Sequence, residues 1–269
     1  MPELPEAEAV TRRLRKQALG ATIAWAHVER KLSIGDQTPD MIMSRTLFAR
    51  ILTVERRAKQ ILIDLSTGYT IRVHLGMTGD LYKIPDCRLR PLTARVWLEL
   101  ATGEAIVFDD PRVFGRFNVY THPELDIVMD GLGVEPLSNS FTAGHLAKLV
   151  QNSKLPVKVF LMDQTKVAGL GNIYAAEALF RAGIHPARKA GSLRPIRIER
   201  LRDAIVSVLK EAVRSAAIAY SKPGRFREGE AFQPDVYGRE GERCNRCGRK
   251  IRRIVQAGRS TYFCPGCQT

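Results

Sequence analysis

Apolar residues recur at helical spacing at the start of the chain. Leu4, Ala7, Val10 and Leu14 fall on one face of a 3.6-residue repeat, with Pro5 near the beginning and acids in the first turn, which predicts a helix over about 4–19. From about Thr22 to Tyr120 the apolar runs become short. Gln60–Leu65, Thr70–His74, Arg95–Leu100 and Ala105–Phe108 are separated by Gly, Pro and Asp, the spacing of an antiparallel sandwich or barrel. The Gly/Pro segment 131–137 predicts a hinge, and beyond it helical character returns through about Ser215, with one helix opening near 172 and ending at Gly183. A loop rich in Gly, Pro and Arg then leads into a cysteine-bearing end. The order predicts an α+β chain divided as 1–131, a hinge at 132–137, a helical part over 138–232, and a small module over 233–269.

Composition narrows the partners. The 269 residues hold 42 Lys and Arg against 28 Asp and Glu, a formal charge of +14, which points to a polyanion and to nucleic acid before membrane. No stretch approaches the roughly 18–20 apolar residues of a membrane span. Glu3, Glu6 and Glu8 stand where a secretory signal needs positive charge and an apolar run, so a cytoplasmic location is expected.

Four of the five cysteines form two C-x2-C pairs, Cys244 with Cys247 and Cys264 with Cys267, separated by 16 residues. Such pairs give two sulfurs from one tight turn and suit a single tetrahedral zinc, whereas disulfides are disfavoured in a reducing compartment. Four thiolates leave no open coordination position, so the zinc is expected to be structural. From Val236 onward there are eight Lys or Arg and two Glu, enough positive charge for phosphate contacts. Cys87 is left over and is expected to be a small buried hydrophobe.

Gly169 and Gly171 precede a helix start at Asn172, an arrangement that lets backbone N–H groups approach a phosphate, although a Gly-rich turn alone would read the same way. Lys154, Lys158 and Lys166 lie nearby in sequence and are candidates for phosphate contacts or for solvated surface charge.

Seven stretches, in order, carry a family resemblance: Pro2–Glu8, Arg56–Lys59, His74–Gly79, Asp110–Gly115, Leu132–Leu137, Gly169–Ala175 and the paired cysteines. Together they resemble the formamidopyrimidine-DNA glycosylase family across essentially the whole chain. The resemblance implies a helix-capped β-sandwich, a helix-two-turns-helix domain and a zinc ribbon, with double-stranded damaged DNA as partner and a monomeric enzyme. It implies a glycosylase and AP lyase in which Pro2, once Met1 is removed, attacks C1′ through its secondary amine. Glu3 would be the general acid and base. Lys59 and Arg259 would assist the β- and δ-eliminations, while His74, Lys154, Lys158 and Asn172 would contact the DNA backbone. Met77, Arg112 and Phe114 would fill the gap left by the flipped nucleotide. The chain departs from the family pattern at 92–96 and in the loop expected at 216–226, which in the family covers the flipped purine. Base identity is therefore less fixed than backbone chemistry. An endonuclease VIII-like enzyme for oxidised pyrimidines is the alternative reading, and a non-catalytic damage-binding protein is a third.

Overall fold

The computed structural model describes residues 2–223 and 232–269, and these form two compact units, 2–130 with 215–223 and 131–214 with 232–269. In the first unit the elements run α1 (Leu4–Ala18), β1 (Ile23–Val28), α2 (Pro39–Thr46), β2 (Ile51–Arg57), β3 (Gln60–Leu65), β4 (Tyr69–His74), β5 (Asp80–Ile84), β6 (Ala94–Leu100), β7 (Ala105–Asp109), β8 (Arg116–Thr121) and α3 (His122–Met129). The strands make two antiparallel sheets, ordered β2-β3-β4-β8 and β1-β6-β7-β5.

One core fills the space between the sheets. Ile61, Ile63 and Leu65 alternate inward from β3, Val96, Leu98 and Leu100 enter from β6, and Val10 and Leu14 of α1 join the same cluster. The four apolar residues that predict α1 are all fully buried, each aliphatic side chain of Leu or Val size contributing about 1.5–3 kcal/mol by leaving water. At the start of α1, the Glu6 carboxylate accepts the Glu3 N–H at 2.8 Å and ties down the first turn.

Helix α2 interrupts the strand region where the sequence reading expects only strands. Thr38 caps it by accepting the Met41 N–H at 3.2 Å, and Pro39 occupies its first position. Cys87 also departs from expectation. It is partly exposed, and its thiol is pushed up by desolvation first and then by the hydrogen-bonded Glu99 carboxylate.

The second unit contains α4 (Ala143–Val150), α5 (Val157–Met162), α6 (Asn172–Ala182), most of α7 (Pro195–Ala219), and the hairpin β9 (Arg252–Gln256) and β10 (Arg259–Phe263). Gly183 closes α6 in the left-handed conformation at φ 69°, the backbone geometry its position in the sequence predicts. Helix α7 reaches Ala219, so the stretch expected as a loop from 216 is helical over its first four residues. Ala216, Ala217, Ile218 and Ala219 contain no breaker, and the first one arrives at Pro223. Residues 224–226 of that expected loop lie outside the described residues.

Candidate nucleic-acid interface and zinc module

In the first unit, one end of the sheet β2-β3-β4-β8 collects the candidate residues. Arg57 pairs with Gln60, Gln60 with His74, and His74 with Arg116, so the row crosses the sheet at a single level. Lys59 lies in the two-residue turn beyond that row. The connections β4–β5 and β7–β8, which carry Met77 and Arg112 with Phe114, both pass from one sheet to the other at this end.

Helix α1 runs antiparallel to β2. Glu8 meets Arg56 at 2.8 Å, further along Arg15 Nε donates to the Val54 carbonyl at 2.7 Å, and beyond the helix Gly20 N–H meets Ile51. The start of α1, with Pro2 and Glu3, therefore lies toward the Lys59 end. Pro2 is buried and Glu3 is 3% exposed.

The two sheet-crossing loops touch backbone to backbone. A Cβ on Gly76 would lie 2.5 Å from Gly115 N, and one on Gly115 would lie 2.8 Å from the His74 carbonyl, so neither position accepts a side chain. The fully buried Asp110 joins them, its carboxylate accepting the Gly115 N–H at 2.7 Å and the Thr78 hydroxyl at 3.1 Å. Arg95, inside the stretch that departs from the family pattern, braces the same loop by donating to the carbonyls of Asp110 and Pro111 at 2.7 and 3.1 Å. Arg112 and Phe114 stand out from it, exposed and stacked with the guanidinium 4.9 Å from the ring centroid, while Met77 is half-buried. Val113 between them holds φ 58°, a strained conformation for a β-branched residue.

His74 accepts the Gly76 N–H at Nδ1, 3.1 Å away. Burial first, and then the charges of Arg72, Lys59 and Arg116, depress its pKa to about 4. With Nδ1 an acceptor, the neutral ring carries its proton on Nε2 and is a donor at neutral pH.

In the second unit, Asn172 opens α6 after a turn containing Gly169 at φ 83°. Gln164 holds this turn, donating to the Met162 and Leu170 carbonyls and accepting the Gly169 N–H. Lys158, a candidate surface contact by sequence, is fully buried. Its ammonium donates to Asn172 Oδ1 at 2.5 Å, Thr261 Oγ1 at 2.7 Å and the Ser260 carbonyl at 3.2 Å. Asn172 Nδ2 in turn donates to Tyr237 Oη and the Ser260 carbonyl, both at 3.2 Å. Lys154 is exposed, as is Arg259, the first residue after the β9–β10 turn.

Gln164, Thr261 and Tyr237 were not singled out by sequence reasoning. Neither was Glu177, a fully buried carboxylate that accepts the N–H groups of Asp235, Val236 and Tyr237 at 2.8–3.0 Å. Burial pushes its carboxyl above the usual range despite those three donors.

The four paired cysteines place their sulfurs within 4.8 Å of one another, with Cys244 to Cys267 at 3.8 Å and Cys247 to Cys264 at 3.4 Å. Tetrahedral zinc with bonds of about 2.3 Å separates its sulfurs by about 3.8 Å, so the set fits the ion. Without a cation the thiols cannot all ionise. The Arg249 N–H helps lower Cys247 to about 7, whereas burial and the neighbouring sulfurs push Cys267 up to about 12. Four thiolates leave no open coordination position, so the set suits one structural zinc ion.

Family models match almost the entire chain: the formamidopyrimidine-DNA glycosylase N-terminal domain over residues 1–117, its H2TH domain over 132–222, and the zinc finger found in FPG and IleRS over 241–269. The chain belongs to the formamidopyrimidine-DNA glycosylase family. The formamidopyrimidine-DNA glycosylase of Jannaschia sp. is 40% identical over 284 residues and that of Xanthomonas axonopodis pv. citri 39% over 275, each alignment covering both chains in full. Among solved structures, Lactococcus lactis Fpg in complex with abasic-site DNA matches with a TM-score of 0.90 at 28% identity over 99% of both chains. MutM in complex with DNA containing carbocyclic 8-oxo-G matches with a TM-score of 0.91 at 28% identity over the full length of both. The family's helix-capped sandwich, H2TH helices and zinc ribbon are thus all present. No helix among the described residues is long and apolar enough to cross a membrane.

Proposed function

We propose that this member of the formamidopyrimidine-DNA glycosylase family removes ring-opened and oxidised purines from double-stranded DNA and then cuts the strand, with Pro2 as nucleophile. The observation that carries the reading is the convergence, at one end of the sandwich, of the start of α1 with Lys59, His74 and the two stapled loops.

Removal of Met1 leaves Pro2 with a secondary amine at the start of α1, and the ordinary α-amino pKa of roughly 8 gives a usable neutral fraction near pH 7. The amine nitrogen forms a bond to C1′ and the N-glycosidic bond breaks, the base leaving with a proton. The nitrogen sheds its proton and the C1′–O4′ bond opens, O4′ taking up a proton, to give an iminium that draws electrons from C2′, whose proton is lost as the 3′ phosphate departs. A second elimination releases the 5′ phosphate and leaves phosphate on both sides of a one-nucleotide gap. Glu3, buried beside Pro2, moves protons at the sugar. Lys59 holds and assists the phosphate leaving group, and the exposed Arg259 serves the second elimination. His74 donates Nε2–H to a backbone oxygen, and Lys154 and Asn172 contribute further backbone contacts, Asn172 being oriented by Lys158. Met77, Arg112 and Phe114 occupy the space of the flipped nucleotide, with Arg112 facing the orphaned base.

The zinc, held by Cys244, Cys247, Cys264 and Cys267, supplies no chemistry to these steps. It keeps the β9–β10 hairpin folded so that Arg259 is presented. The chain acts as a monomer in the compartment that holds the genome.

A panel of duplexes carrying formamidopyrimidine, 8-oxoguanine or an oxidised pyrimidine tests the reading. Formamidopyrimidine opposite cytosine is excised fastest. A preference for oxidised pyrimidines would assign the chain the endonuclease VIII type of specificity instead.

A further inference from the structure

Glu8 and Arg56 form a bridge that the proposed chemistry does not use. The Arg56 guanidinium donates through Nε to Glu8 Oε2 at 2.8 Å and through Nη1 to the Ala58 carbonyl at 3.0 Å. The other Glu8 oxygen accepts Arg12 Nε at 2.6 Å. Burial would raise the Glu8 carboxyl, but the hydrogen bonds from Arg12 and Arg56 outweigh it and hold it below the ordinary value. The Arg56 and Glu8 side chains are 9% and 18% exposed. This is not the solvated surface pair that contributes little to stability.

The bridge ends on the residue before Lys59. Ala58 and Lys59 are the two central residues of the β2–β3 hairpin, and Ala58 is buried at φ 54°, the left-handed region where such a turn ordinarily places glycine. A side chain there costs roughly 1–2 kcal/mol, so the conformation persists because its surroundings impose it. Arg56 supplies part of that constraint, because its fork closes over the turn while its other arm is fixed to α1.

We propose that Glu8 and Arg56 are positioning residues for Lys59, locking the hairpin tip to the helix that begins at Pro2 and Glu3. The proposal rests on the reading that Lys59 assists elimination. A competing use of Arg56, direct neutralisation of a DNA phosphate, is disfavoured because its Nε and Nη1 are turned to Glu8 and to the Ala58 carbonyl and its side chain is almost entirely covered. Loss of the lock lets Lys59 drift, and misplacement on the ångström scale costs on the order of tenfold to a hundredfold in rate with little effect on ground-state binding.

Single-turnover cleavage of an abasic-site duplex, paired with the Kd for a duplex containing tetrahydrofuran as an uncleavable abasic analogue, tests this in the full-length, zinc-loaded protein. Arg56→Lys keeps the charge but cannot span both acceptors, and it should slow cleavage at least about tenfold while leaving Kd within about twofold. Glu8→Gln, nearly isosteric and expected to fold even if Arg56→Lys does not, should slow cleavage in the same sense. The double variant should be no slower than the slower single one, because either change opens the same bridge. A Kd that rises in step with the rate loss would make Arg56 a DNA contact and overturn the proposal, as would unchanged rates in both single variants. Lys59→Ala separates the two levels of the argument. If it is impaired while Arg56→Lys and Glu8→Gln are not, only the positioning role fails; if Lys59→Ala cleaves normally, the Lys59 reading fails and the proposal with it.

Discussion

The ammonium of Lys158 lies 2.5 Å from the side-chain oxygen of Asn172, deep enough that the lysine has no exposed surface. Asn172 is therefore presented by a buried cation that also grips Thr261 and Ser260 on β10, and the start of α6 and the turn-proximal half of the β9–β10 hairpin are held as one piece.

Replacing Lys158 by Met keeps the length of the side chain and removes its three donated bonds. Leaving buried acceptors without a donor costs roughly 1–3 kcal/mol, so thermal unfolding should fall by several degrees. Affinity for an abasic-analogue duplex should weaken about tenfold, the equivalent of about 1.4 kcal/mol. Unchanged affinity would mean that Asn172 does not need this orientation to meet DNA.

His74 makes a pH-dependent contribution to stability. Its pKa is about 4 folded against an ordinary 6.5, so between those values the unfolded chain binds a proton that the folded chain refuses. Its contribution is complete above pH 6.5 and is lost as pH falls through 6.5 toward 4, amounting to roughly 3 kcal/mol at most. Denaturant titrations from pH 7.5 to 4.5 should show this slope, and His74→Gln should flatten it. A steeper loss in the variant would contradict the assignment. Above pH 6.5 the ring is neutral, so its DNA contact should not strengthen or weaken between pH 7 and 8.

Removing the zinc should unfold its own module and spare the sandwich. Chelation or Cys247→Ser leaves thiols whose ionisation no cation supports, and the β9–β10 hairpin has little core of its own beyond the cluster around Cys244, Ile251 and Cys264. DNA binding and cleavage should both drop, while near-ultraviolet signals from Trp25 and Trp97, both in the first unit, stay unchanged. A metal-free protein that binds DNA as before would remove the ribbon from the interface.

What could be read in advance depends on whether the signal is local. The strand Gln60–Leu65 alternates side chains toward one core and stops shortly before Gly68, and its predicted bounds match those of β3; the zinc ligands are fixed by spacing within two short turns. Helix α1 ends one residue short of its predicted limit. Helix α2 escaped because eight residues with two buried positions carry almost no periodicity. Lys158 was indistinguishable from Lys154 in sequence, since only the packing of α5 against α6 and β10 decides which of the two is buried. Asp110, Gln164 and Glu177 act through hydrogen bonds to backbone groups that no residue pattern announces, some of them dozens of positions away. The reading of 216–219 as loop gave weight to the break in family resemblance where the residues themselves favour helix.

The Pro2 amine is the claim on which the rest depends, and borohydride trapping on an abasic-site duplex tests it most directly. The iminium formed between Pro2 and C1′ is reducible to a stable amine, so protein lacking Met1 should become covalently attached to the DNA. The same protein with one residue added ahead of Pro2 should form no adduct while still binding the duplex, and peptide mapping should place the attachment at Pro2. Equal trapping with the extended N-terminus, or attachment at a lysine such as Lys59, would contradict the account.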